Sequence, residues 1–122
     1  MGLVVAPVNV PISIYRGSTF RLSLAWKTGP SAAAATPVDL TGCTARAQVQ
    51  KRDVTVTVLA DMTTENGGIA LGGTAGTIDL YLADEITATL PWWRLATWWF
   101  LDILWPDGDA TRLVGGPAKI SP

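Results

Sequence analysis

Apolar residues recur at every second position along much of this chain, and that period restricts its fold more than any other feature. Between residues 19 and 27, Phe20, Leu22, Leu24 and Trp26 fall on one side of an extended chain, with Thr19, Arg21, Ser23 and Lys27 among the residues left for the other. Successive side chains of a strand point to opposite faces, so such a segment turns one face to a core and one to solvent. Residues 44–51 repeat the pattern, with Ala45, Ala47 and Val49 set against Arg46, Gln48 and Gln50. Val54, Val56 and Val58 alternate with Thr55 and Thr57, and Ile78, Leu80 and Leu82 with Asp79 and Tyr81. β-Branched residues suit a pleated sheet, so these segments read as strands.

Turn residues punctuate the strands. Arg16-Gly17-Ser18 separates a first strand, around residues 8–15, from the second, and Gly67-Gly68 and Gly72-Gly73 bracket a short strand at 69–71. Pro106-Asp107-Gly108-Asp109 predicts a tight hairpin, because Asp bonds its own backbone and Gly supplies positive φ. The last strand is expected at 110–114, with a break at Gly115-Gly116-Pro117 and a resumption at 118–121. Residues 29–37 read as an exposed loop. Residues 84–90 read as the one short helix, with Asp84 as its cap and Pro91 just beyond it. The resulting expectation is an all-β sandwich or barrel of about eight short strands, one domain over residues 1–122 with an extended segment at 1–11.

At 122 residues a chain buries roughly two-thirds of its unfolded surface without staples. The single cysteine, Cys43, excludes an internal disulfide and a thiolate metal cage within one chain. Residues 1–7 lack the basic region of a secretory signal, and no apolar run reaches the roughly 20 residues of a membrane span, so the expectation is a soluble chain made in a cytosol. Nine basic and ten acidic residues give a net charge of −1, which offers nothing to a phosphate backbone, and no membrane partner is expected. Charged residues reach only 16% where about 25% is usual, which points to a surface partly covered by a partner. A surface rich in Thr and Ala accounts for the same figure without one.

Six tryptophans include Trp92, Trp93, Trp98 and Trp99 in one short stretch. On a strand Trp98 and Trp99 must face opposite ways. Trp98, Phe100 and Leu104 then share one side, and Trp99, Leu101, Ile103 and Trp105 the other, with Asp102 the one interruption. A strand apolar on both faces is either covered by a second layer within the chain or part of an interface. The interface reading takes Trp92, Trp93, Trp99 and Trp105 as its candidate residues, because aromatic side chains are enriched at interface centres. A glycan-stacking platform on Trp92, Trp93 and Trp99 is a further reading, and the few polar groups nearby weigh against it.

The chain contains no histidine, which removes the commonest general base and metal ligand along with every His-dependent triad. Cys43 has no evident base or cation beside it and reads as a packing residue. The glycine-rich pieces match neither phosphate-binding pattern, and the acids sit mostly in turns. Neither a catalytic residue, a cofactor nor a metal site is expected.

Three blocks bear on identity: residues 37–49 (PVDLTGCTARAQV), Gly68-Ile69 through Ala75-Gly76-Thr77-Ile78-Asp79-Leu80 to Leu90-Pro91, and Pro106-Asp107-Gly108 followed by Thr111-Arg112-Leu113-Val114-Gly115-Gly116 and Lys119-Ile120-Ser121-Pro122. In this order they resemble small immunoglobulin-like structural domains encoded in the tail and baseplate gene clusters of tailed bacteriophages. Cys43, where that family often has an aromatic residue, and the Trp-rich run depart from it. The resemblance implies an immunoglobulin-like antiparallel β-sandwich of about 7–9 strands that carries no catalytic residues. It further implies a virion protein, an adaptor or fibre-attachment subunit that binds other baseplate, tail or fibre subunits in a multi-copy symmetric assembly. A head decoration protein is the neighbouring alternative.

Overall fold

The computed structural model describes residues 8–29, 31, 33–52, 55–91 and 97–122. Its strands are β1 (Val8–Asn9), β2 (Ile12–Tyr15), β3 (Phe20–Ala25), β4 (Lys27–Thr28), β5 (Thr36–Pro37), β6 (Thr44–Arg52), β7 (Val56–Thr63), β8 (Ile69–Leu71), β9 (Thr77–Leu82), β10 (Thr97–Leu104) and β11 (Ala110–Ser121). The larger sheet runs β1-β11-β10-β6-β7, with β2 pairing β11 further along, and the smaller runs β3-β9-β8. Strands β4 and β5 form a two-stranded ladder at the base of the loop expected at 29–37. The distribution of strands between layers matches B, E and D in one sheet and G, F, C and C′ in the other. The fold is an immunoglobulin-like all-β sandwich.

Alternation builds its interior. Phe20, Ile69, Ile78, Leu80 and Leu82 come from the small sheet, and Ala45, Ala47, Val49, Met62, Leu101 and Ile103 from the large one. Leu101 sits beside Ala47 and Ile103 beside Ala45, so small residues on β6 lie next to large ones on β10. Each fully buried large side chain contributes about 1.5–3 kcal/mol of transfer free energy. One end of the core is closed by Trp26 and Trp105, whose rings lie 5.8 Å apart.

Two bulges decide which side chains face outward. On β11, Leu101 pairs with Val114 but Asp102 pairs with Arg112, so Leu113 is inserted. Leu113 and Val114 are both buried, and beyond them Ala118 and Ile120 face inward instead of Lys119. The expected break at 115–117 is therefore absent. One continuous strand changes phase at a bulge, which upsets strict alternation in the same way as an interruption does. On β7, Val49 pairs with Ala60 and Gln50 with Val58, so Leu59 is inserted and the strand runs on to Thr63.

Two further expectations need correction. The first strand is split at Val10-Pro11 into β1 and β2, both parallel to β11. The helix α1 spans only Asp84–Thr87, and its cap position is Ala83, not Asp84, with no side-chain cap bond. It is held instead by Thr87, whose hydroxyl donates to the Ser18 carbonyl at 2.8 Å and accepts from the Gly17 amide at 3.1 Å.

Candidate docking face

The described tryptophans sort cleanly by layer. Trp99 is 0% exposed, and its indole Nε1 donates to the Val10 carbonyl at 2.6 Å, where the edge of the sheet kinks. Trp105 is 8% exposed and donates through Nε1 to the Thr111 hydroxyl at 3.0 Å. Both belong to the core, which corrects the expectation that they form a sticky surface. Their ring N–H groups find partners within the chain, as buried indoles generally do. Trp92 and Trp93 lie outside the described residues. The glycan-stacking platform loses Trp99 for the same reason.

Trp98 points the other way and is 39% exposed. It lies on the outer face of the large sheet, where register assembles rows of side chains across four strands. Val58, Gln50, Trp98 and Pro117 make one row, and Asp61, Gln48, Phe100 and Gly115 the next. Thr63, Arg46, Asp102 and Arg112 make a third. Val56, beside Arg52 at the margin, is 63% exposed and Val58 48%. At this end Trp98 and Val58 thus flank Gln50, with Val56 and Arg52 at the margin, and a charged centre adjoins them.

On the second apolar side of β10, Phe100 is covered by an arginine. Arg112 lies over the Phe100 ring at 4.0 Å from its centroid, and its Nε and Nη2 donate to Asp102 at 2.8 and 3.2 Å. Arg46 Nη2 reaches the same carboxylate from the opposite strand at 3.2 Å. The Asp102 side chain is 7% exposed, while those of Arg46 and Arg112 are 46% and 44%. Two guanidiniums shield one carboxylate and still present their outer edges to solvent. Asp102's hydrogen bonds hold the Arg112 guanidinium above its usual pKa. Along β6 a polar chain continues the rim: Arg52 Nε donates to Gln50 Oε1 at 3.2 Å, and Gln50 Nε2 to Gln48 Oε1 at 3.0 Å. Arg52 also sits 5.8 Å from the Trp98 ring centroid.

This face presents a half-exposed indole and arginines pre-set by a buried carboxylate and an aromatic ring, and Trp and Arg are residue types enriched among interface hot spots. Among the described residues no group of three or more His, Cys, Asp or Glu is placed to hold a metal ion. Cys43 is half-buried, and burial raises its thiol pKa. On the small sheet a shallow hollow of about 520 Å³ is lined by Arg21, Ser23, Asp79 and Tyr81, but Arg21 already lies over the Tyr81 ring at 4.7 Å.

Sequence reasoning missed Arg46, Asp102 and Arg112 as a unit, because their meeting depends on register across β6, β10 and β11. Trp98 was recoverable: once Trp99 is assigned to the core, its neighbour must face out.

No family model matches the chain, and no curated protein matches it. Among solved structures, one solved for photo-crosslinking analyses of multimeric cell-adhesive interactions of VGSC beta subunits superposes with a TM-score of 0.41 at 13% identity. The overlap covers 98% of each chain. Similarity at that level says nothing about partners or activity here.

Proposed function

We propose that this domain is a structural binding subunit of a tailed-bacteriophage virion, a tail or baseplate adaptor that docks other virion proteins through the outer face of its larger sheet. The observation that carries the docking is Trp98. A tryptophan held half in solvent, with exposed Val56 and Val58 two strands away across Gln50 and Arg52 and an arginine pair fixed by Asp102 on the same face, is well suited to a partner. The phage assignment draws on the three sequence blocks at 37–49, 68–91 and 106–122 and their resemblance to tail-cluster domains.

The test is direct titration of the purified chain against the tail and baseplate proteins encoded beside it, by biolayer interferometry. Wild type is expected to bind at least one, and Trp98→Ser to weaken that binding at least about tenfold while leaving the fold intact. Binding that ignores Trp98→Ser, or no binding to any neighbouring virion protein, defeats the proposal. Titrating host polysaccharide against tryptophan fluorescence examines the glycan alternative, for which a spectral change is required.

A further inference from the structure

Any partner that covers the outer face of the large sheet must bury a local excess of charge. Arg46 and Arg112 share one carboxylate, Asp102, and arginine stays protonated at any physiological pH, so the trio carries one positive charge that nothing within it answers. Each guanidinium has five N–H donors, of which Asp102 takes two from Arg112 and one from Arg46. Nearly half of each arginine side chain stays open to solvent. The wider face leans the same way. Among the described residues, its strands carry Arg46, Arg52, Arg112 and Lys119 against Asp61 and Asp102, an excess of positive charge on a chain whose net charge is −1.

We propose that the protein docked on this face supplies an Asp or Glu side chain, whose carboxylate seats against the outer edges of the Arg46 and Arg112 guanidiniums. This rests on the docking reading and names what the partner brings to it. While the face is open, water solvates the surplus charge. A partner that excludes this water strands the charge unless it provides an opposite one, and a charge buried without a counter-charge weakens an interface strongly. The planar guanidinium fork matches a carboxylate better than any other acceptor on a protein surface. Arg112 is already fixed by Asp102 and by the Phe100 ring beneath it, so little side-chain freedom is lost when a second carboxylate arrives. Trp98 and Asp102 are separated along β10 by roughly 13 Å at the rise of a strand, which sets how far apart the partner carries its apolar and acidic groups.

Arginine Nε–H NMR spectra of the full chain, titrated with deca-L-glutamate, read the pair directly. The Arg46 and Arg112 signals are expected to move saturably, and deca-L-lysine to leave them in place. Arg46→Gln keeps the Arg112–Asp102 contact and is expected to weaken the peptide about tenfold, with a thermal midpoint close to wild type. Arg21→Gln removes the same charge from the outer face of the small sheet and is expected to change binding less than about twofold. Signals unmoved by deca-L-glutamate overturn the inference. Equal losses in the two variants, an oligothymidylate bound as tightly as the peptide, or signals that move with the concentration of the chain alone overturn it too, since they assign the effect to general charge, to a nucleic acid or to a second copy. Virion-protein binding that is lost in Trp98→Ser but indifferent to Arg46→Gln keeps the docking face and refutes the carboxylate. Peptide shifts without any virion-protein binding keep the arginine pair and refute virion docking.

Discussion

Replacing Gly116 by alanine tests how tightly the N-terminal edge is bolted over the core. A Cβ at Gly116 would stand 2.8 Å from both the Asn9 Oδ1 and the Val10 carbonyl oxygen, and 3.0 Å from the Val10 carbonyl carbon. The Asn9 side chain can swing aside, but the Val10 carbonyl cannot move freely. It accepts from buried Trp99 at 2.6 Å, and the Val10 amide donates to Gly115 at 3.0 Å. Relief requires lifting the strand by several tenths of an ångström, which weakens both bonds and leaves an indole N–H poorly paired inside the protein. At about 1 kcal/mol for a net hydrogen bond and about 1–3 kcal/mol for an unsatisfied buried group, the loss is about 2–4 kcal/mol. The alanine returns about 0.4–1 kcal/mol by stiffening the unfolded chain.

Gly115→Ala supplies the control. Its Cβ would meet the Trp99 carbonyl oxygen at 3.4 Å and nothing else nearer than 3.7 Å, which is ordinary contact. The neighbouring substitutions carry the same unfolded-state gain, so their difference isolates the clash. Urea unfolding followed by tryptophan fluorescence should place Gly116→Ala about 2–4 kcal/mol below Gly115→Ala at unchanged m-value, or roughly 10 °C in Tm. Variants agreeing within about 0.5 kcal/mol, near the resolution of the extrapolation, refute the reasoning.

Trp99→Ala should cost about 3–5 kcal/mol in the same unfolding assay, whereas Trp98→Ala, at the surface, should cost under about 1 kcal/mol. Thr111→Val removes the acceptor of the Trp105 indole and should cost about 1–3 kcal/mol, with a shift in tryptophan emission reporting the altered ring environment. Asp39 accepts from the Thr41 hydroxyl and amide, which hold its carboxyl below the ordinary value of 3.8. The folded state therefore binds that proton less readily than the unfolded one. Asp39→Ala should be less stable than wild type at neutral pH, and the gap should close as pH falls from about 4 through the depressed folded value. Acid titrations of stability on both proteins check this, and a gap independent of pH counts against it.

Local pattern revealed most of the strands because alternation is a property of neighbours in sequence. Phe20 to Trp26, Ala45 to Val49 and Ile78 to Leu82 needed nothing beyond period two to be placed. Pattern failed where a non-local cause intervened. The bulges at Leu59 and Leu113 come from pairing with β6 and β10, so no window of sequence contains their reason. Val56 and Val58 look like core residues by type, and they are outside because the insertion at Leu59 sets them on the face opposite Ala60 and Met62. Trp99 and Trp105 look like interface residues by type, and they are inside because Val10 and Thr111 accept their N–H groups. Side-chain chemistry sets what a position can tolerate, but topology decides which face it occupies.

That dependence explains how the docking face arises. Had β11 kept strict alternation from Thr111 onward, Lys119 would point into the sandwich and Val114, Ala118 and Ile120 outward. Inserting Leu113 lets Arg112 stay on the outer row with Asp102 while the following apolar residues turn inward. On the opposite flank Leu59 does the same for β7, setting Val58 in the row of Trp98 while Ala60 and Met62 enter the core. A single inserted residue on each side of the β6–β10 pair thus separates a face of arginine and indole from an interior of aliphatic side chains. Each insertion sits within one residue of the row it serves. The same bulges that complete the core therefore expose the surface proposed to bind.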